Sequence, residues 1–299
     1  MKILSFGSMN IDNTYSVDEF VQPGETMTAK NLSKFCGGKG LNQSIALASA
    51  GADVAHFGCV GEDGDILLDM LKSRGVNTDS VIKIDNITSG HAIIQVDSHG
   101  QNSILLYPGA NRRMTPELID RELEKYSCGD WLLIQNETNC LEYIMRAANK
   151  KGMKIAFNPS PMDGTVSTLP LELVDLFLVN EIEGAAVTGK EITEEITAEF
   201  EKLFPNAAVI LTLGKKGSIF KSEKDMLFQP SYCGTVKDTT GAGDTYTGFF
   251  IANYIKGVSP QECMRIAAMA STVQISRDGA AIAIPKKQEV LNALKNHCR

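Results

Sequence analysis

The chain has no apolar stretch near the ~18 residues that would span a bilayer, and its opening run, Met1 to Gly7, is too short for a signal peptide. It has no block of basic residues either. Lys plus Arg number 29 against 36 Asp plus Glu, a formal −7, which argues against nucleic acid or an anionic membrane as a partner. The four histidines (His56, His91, His99, His297) fall at no metal-ligand spacing, and the seven cysteines, an odd number, include no Cys-x-x-Cys. That pattern argues against a disulfide framework, a zinc site or a Ser-His-Asp nucleophile, and a reduced, cytoplasmic setting is expected. Two phosphate fingerprints are missing as well. There is no Gly-x-x-x-x-Gly-Lys-Ser/Thr, and no Gly-x-Gly-x-x-Gly follows the first apolar run. A P-loop enzyme is excluded and a nicotinamide enzyme becomes the lesser reading.

What is present is an ordinary globular composition, 43% apolar and 22% charged over 299 residues, enough for a large core. Apolar runs at 3–8, 54–59, 131–135, 154–158, 176–179 and 208–213 read as buried strands. Helical spacing at about 41–50, 61–74, 116–125, 139–150, 181–188, 193–203, 241–256, 260–276 and 286–296 alternates with them. Such alternation predicts an α/β fold with a mostly parallel sheet covered on both faces. Segments 13–20 and 26–35, rich in Thr, Val, Tyr and Phe, predict a hairpin turning at Gln22-Pro23-Gly24-Glu25. With β-like segments 92–96 and 104–107 it should form a minor sheet; 81–85 is a further short strand, and 218–221 with 226–229 a second hairpin. With no linker or repeat, 1–299 reads as one domain with a small β lid inserted at about 13–36 and 90–107.

The stretch from Asp238 to Phe250 begins polar and glycine-rich, then turns apolar, with Phe249, Phe250, Ala252, Asn253 and Ile255 as the start of a buried helix face. Gly241 and Gly243 therefore lie where a loop enters a helix, a place whose free N–H groups favour an anion. Asp244 beside such a site could take a proton from a hydroxyl that attacks a phosphoryl group. The competing reading is a plain loop with Asp244 or Thr240 as helix cap.

Taken together, the motifs resemble the PfkB (ribokinase-like) family of carbohydrate kinases over essentially the whole chain. Gly37-Gly38-Lys39-Gly40-Leu41-Asn42-Gln43 is similar to the family's first signature. Asp238-Thr239-Thr240-Gly241-Ala242-Gly243-Asp244, about 200 residues on, is similar to its second. The start Gly7-Ser8-Met9-Asn10-Ile11-Asp12 fits as well. The resemblance implies a three-layer fold, a phosphotransferase with an alcohol acceptor, and transfer of the ATP γ-phosphoryl to a sugar, with the 5-hydroxyl of D-ribose expected. It implies Asp244 as catalytic base and the amides of Thr240, Gly241, Ala242 and Gly243 as an anion hole. It places sugar binding at Asn10, Asp12, Gly38, Lys39, Asn42, Glu137 and Asp244, and nucleotide contacts at Asn180, Thr212, Gly214, Gly217, Gly243 and Ala268. It implies Mg²⁺ held indirectly through Asn180 and Glu183, K⁺ through Asp238, Thr240, Gln274, Arg277 and Gly279, and a homodimer formed through the lid. Ala283 and Ala268 depart from the pattern, where relatives often offer Ser and His or Asn.

Several residues have local alternatives. Asn10 or Asp12 could be turn residues, Lys39 a solvated charge, Glu137 an acid favoured by a helix dipole, Glu183 an exposed helix acid, and Gly214–Gly217 a hairpin turn. At the level of function the alternatives are a kinase for deoxyribose, fructose, a nucleoside or pseudouridine, and a non-catalytic sugar binder.

Overall fold

The structure is a computed structural model and describes residues 1–297. The chain starts in the middle of its main sheet. β1 (Ile3–Phe6) pairs in parallel with β4 (Val54–Val60) on one side and with β8 (Trp131–Gln135) on the other. From β4 the sheet ends at β5 (Val81–Lys83). From β8 it continues through β9 (Lys154–Asn158), β10 (Leu176–Asn180) and β11 (Ala208–Thr212), all parallel. The hairpin β12 (Ser218–Lys221) and β13 (Met226–Gln229) adds two antiparallel strands at that edge, so it extends the main sheet.

Period-two alternation sends neighbouring residues to opposite faces, and the core divides accordingly. Ile3, Leu133, Leu178 and Ile210 face one layer, formed by α1 (Lys39–Ser49), α2 (Asp65–Ser73), α7 (Ala242–Tyr254), α8 (Pro260–Gln274) and α9 (Lys287–His297). Leu4, Leu132, Val179 and Leu211 face the other, formed by α3 (Pro116–Leu123), α4 (Leu141–Lys150), α5 (Glu181–Thr188) and α6 (Thr193–Leu203). This is the three-layer architecture expected. No described helix is long and apolar enough to cross a membrane.

A second, four-stranded sheet stands apart, in the order β3-β2-β6-β7: β2 (Asn10–Ser16), β3 (Asn31–Gly37), β6 (Gly90–Val96) and β7 (Asn102–Tyr107). The minor sheet forms as predicted, but its first hairpin differs from the expectation. The pairing runs from Asn10↔Gly37 to Ser16↔Asn31, so 17–30 is a long connection and the Gln22–Glu25 turn lies within it. Parallel pairing of Asn10–Ser16 with Gly90–Val96 draws the polar start of the segment into the ladder. The helix expected from Gly61 begins only at Asp65, after a turn closed by Gly64 N–H to Gly61 O.

Candidate active site

Two helix N-termini meet at the carboxyl end of the main sheet, where open α/β sheets bind ligands. α1 starts after Gly38 and α7 after Gly241. Gly241 has φ 76°, in the left-handed region that a side chain strains, which accounts for glycine there. The capping alternative is overturned: Gly241 holds the cap position and neither Thr240 nor Asp244 bonds to the first amides of α7. Asp244 is buried and turns to α1 instead. Its Oδ2 accepts from Asn42 Nδ2 at 3.1 Å and its Oδ1 from Gln43 Nε2 at 2.9 Å.

The loop amides divide. Thr240 N–H donates to Asp238 Oδ1 at 2.8 Å, and Ala242 N–H to Thr239 O at 3.2 Å. Among the described residues the N–H groups of Gly241, Gly243 and Asp244 have no acceptor. Of the four amides expected to make an anion hole, those of Gly241 and Gly243 stay open, and that of Asp244 joins them.

The residues expected to hold a sugar gather about the N-terminus of α1. Glu137 Oε2 accepts from the N–H of Lys39, the first residue of α1, at 2.9 Å, and from Ser8 Oγ. It serves the N-terminus of α1, not of the helix that follows it in sequence. Burial pushes the Glu137 carboxyl up, against the opposing pull of the bonds from Ser8 and Lys39. Asp12 is pushed up to about 7, first by burial and then by the charge of Glu137. Burial pulls Lys39 down, but Asp244, Glu137 and Glu183 outweigh it and hold the ammonium above its ordinary range. Lys39 is thus set among three carboxylates and is no solvated surface charge. Asn10 is buried, and its Oδ1 accepts from Asn111 Nδ2 at 2.8 Å. Asn42 Oδ1 is a buried acceptor with no donor among the described residues.

A cavity of about 220 Å³ opens beside Asp244, lined by Lys39, Asn158, Asn180, Glu183 and Thr212 together with the Gly241–Gly243 turn. Asn180 and Glu183 form a reciprocal cap on α5: Asn180 Oδ1 accepts Glu183 N–H at 2.9 Å, and Glu183 Oε2 accepts Asn180 N–H at 3.0 Å. Glu183 is buried, which overturns its reading as an exposed helix acid. Thr212 pairs in register with Asn180 at the cavity's edge. Gly214 and Gly217 make the turn into β12, with Leu213 N–H on Gly217 O at 2.8 Å, and do not line the cavity. Ala268 is buried in α8 among core side chains and does not line it either.

The residues expected around a monovalent cation are tied together. Asp238 Oδ2 accepts Gly279 N–H at 3.0 Å, and Gln274 Nε2 donates to the carbonyls of Thr240 and, at 3.4 Å, Gly279. Gln274 Oε1 is buried without a donor among the described residues. Arg277 directs its guanidinium to Glu289 and, at 3.5 Å, to Ala283 O, so only its backbone could serve a cation. No group of three or more His, Cys, Asp or Glu among the described residues could hold a metal.

Sequence reasoning assigned no role to Gln43, Asn158 or Ser8, which bond to Asp244, Glu183 and Glu137. A polar residue closing a parallel strand, as Asn158 closes β9, was the available signal.

The profile of the "pfkB family carbohydrate kinase" family matches residues 1–287. The chain belongs to that family. It is therefore a phosphotransferase whose acceptor is an alcohol group. Ribokinase of Haemophilus influenzae is 33% identical over 298 residues, covering 97% of each chain. Ribokinase of Cryptococcus neoformans, solved in complex with ADP, superposes with a TM-score of 0.85 at 31% identity, covering 97% of this chain and 99% of that one. Ribokinase of Arabidopsis thaliana, complexed with ribose and ATP, gives 0.85 at 29% identity, covering 98% of each.

Proposed function

We propose that this kinase transfers the γ-phosphoryl group of ATP to the 5-hydroxyl of D-ribose, with Asp244 as the base. The observation that carries the reading is the position of Asp244. It sits in the first turn of α7, whose Gly241, Gly243 and Asp244 amides are open among the described residues, and it is bonded to Asn42 of α1, the helix whose first amide is held by Glu137. The carboxylate takes the hydroxyl proton as attack proceeds, and the Gly241, Gly243 and Asp244 amides meet charge developing on the phosphoryl oxygens. Lys39 balances three surrounding carboxylates as the charge shifts.

Mg²⁺ bound with the nucleotide neutralises phosphate charge. Asn180 Oδ1 and Glu183 Oε2 are engaged in their mutual cap, so both residues would hold the ion through water, as the indirect reading has it. K⁺ fits the carbonyls of Thr240 and Gly279 with Asp238 and Gln274 behind them, while the methyl of Ala283 offers no oxygen. Turnover that rises in potassium over sodium-only buffer checks this; equal turnover rejects it. The second sheet, whose β2 begins with Asn10 and Asp12, serves as a lid and as the contact of a homodimer. Gly214, Gly217 and Ala268 contribute to nucleotide binding only if the cavity extends on closure.

ADP release measured across ribose, deoxyribose, fructose, pseudouridine and other nucleosides tests the acceptor. Ribose should give the highest kcat/KM; a higher value for another acceptor rejects the assignment. Asp244→Asn should lower turnover by about 10²–10⁴-fold with sugar affinity within a few-fold. Near-normal turnover in that variant removes Asp244 from the role of base.

A further inference from the structure

Behind Asp244 runs a chain of side-chain amides. Gln43 Nε2 donates to Asp244 Oδ1 at 2.9 Å and to Asn158 Oδ1 at 3.0 Å, and Gln43 Oε1 accepts from Gln135 Nε2 at 2.8 Å. Gln43 and Gln135 are fully buried, so no water competes for these groups. An ionised carboxylate can only accept, so Gln43 must present its N–H groups to Asp244 and its oxygen to Gln135. Rotating the Gln43 amide by half a turn would set its oxygen against the oxygens of Asp244 and Asn158 with no proton between them. The donor that holds the other end of the amide against this rotation is Gln135, the last residue of β8, which itself has no hydrogen bond to Asp244. Gln135 also carries a cost: its own Oε1 is buried with no donor among the described residues. A residue present only to fill the core would avoid an orphaned acceptor.

We infer that Gln135 is a positioning residue, acting through Gln43: it locks the Gln43 amide so that N–H faces the Asp244 carboxylate and fixes that carboxylate's rotamer for proton transfer. The inference rests on the proposed role of Asp244 as base and adds the device that aims it. Misdirection of a base affects the chemical step and leaves sugar and nucleotide binding largely alone.

The test is a double-mutant cycle in the full chain with Gln135→Met, Gln43→Met and both together. Methionine keeps the volume of glutamine and removes its donor and acceptor. The readouts are the single-turnover rate with ATP, the KM for acceptor and the Tm, using the best acceptor in the panel above, so that a wrong sugar assignment does not enter. We expect Gln135→Met to slow the single-turnover step about 10-fold with KM within 2-fold, and the double variant to be no slower than Gln43→Met alone. An unchanged rate in Gln135→Met, losses that multiply in the double variant, or a loss in KM alone overturns the inference. Gln135→Leu takes the same place in the cycle if Gln135→Met does not fold. Asp244→Asn measured alongside separates the two claims. A slow Asp244→Asn with a normal Gln135→Met rejects only the positioning role, and a fast Asp244→Asn rejects the base and this inference with it.

Discussion

Asp12 shows how the fold sets the charge of a single side chain. Its carboxyl is pushed up to about 7 by burial and by Glu137, against 3.8 for the free group. The native state therefore holds a proton that the unfolded chain has released, and stability falls as pH rises from about 4 to 7. Asp12→Asn removes that dependence. Its Tm should exceed that of the parent by an amount that grows across this window and levels off above pH 7, at roughly 7 °C. Thermal melts at pH 4, 6 and 8 check it, and a constant difference across the three rejects the origin of the shift. His56 behaves in the opposite sense. Burial holds it at about 4, so the stability it contributes is present above its ordinary 6.5 and is lost as pH falls towards 4. At this scale the sequence singled out Asp244 and Lys39, whose types carry chemistry within a fixed motif, and the fold brings both to one cavity. The sequence was silent on Gln43 and Gln135, because an amide can both donate and accept, and its role there depends on which partners the fold brings to each end.

The helix that carries Asp244 looks different as an element than as a pattern. Phe249, Phe250, Ala252, Asn253 and Ile255 suggest one apolar face, but every residue from Asp244 to Asn253 is buried. α1 packs on one side of α7 and α8 on another, so no face is left for solvent. Spacing alone does not reveal this, because Thr245, Thr247 and Asn253 break the apolar run while lying inside the core. α1 and α7 pack tightly at Gly248, where a Cβ would sit 2.4 Å from Ala46 Cβ and 2.7 Å from Leu47 N. Gly248→Ala must push α1 away from α7, costing about 1–3 kcal/mol. Since α1 brings Asn42 and Gln43 to Asp244, turnover should fall as well. Urea denaturation and kcat measured on one preparation check both, and a variant as stable as the parent rejects the packing argument. The inner parallel strands β1, β8, β9, β10 and β11 were legible because they are buried on both faces over most of their length and read as largely apolar runs. β2 was placed three residues late because Asn10, Ile11 and Asp12 show no alternation, and its start is fixed by β6, some eighty residues away.

For the whole molecule, the unresolved demand is the second sheet. β7 is exposed along its full length, with Ile104 58% and Leu105 67% accessible, and Leu32 on β3 at 47%. Leu106, Tyr107, Phe35 and Ile93 add further exposed apolar surface to the same four strands. A bare apolar edge of this kind invites association, and soluble chains cover or charge such edges. The sheet carries Asn10 and Asp12 at the start of β2, so whatever covers it also steadies the side chains proposed to hold the sugar. A second copy of the chain is the occupant we propose. Light scattering at micromolar concentration should then give twice 32.4 kDa, and Leu105→Glu with Leu32→Glu should give 32.4 kDa. A parent chain that is monomeric under these conditions rejects the dimer. The paired substitution should also separate kinetic effects, because the sheet holds the proposed sugar contacts Asn10 and Asp12 while Asp244 sits in the main body. KM for the acceptor should rise several-fold, with kcat at saturating sugar within about 2-fold. A fall in kcat with KM unchanged would mean that the second sheet acts on the chemical step itself, and would assign closure, not sugar binding, as the purpose of the association.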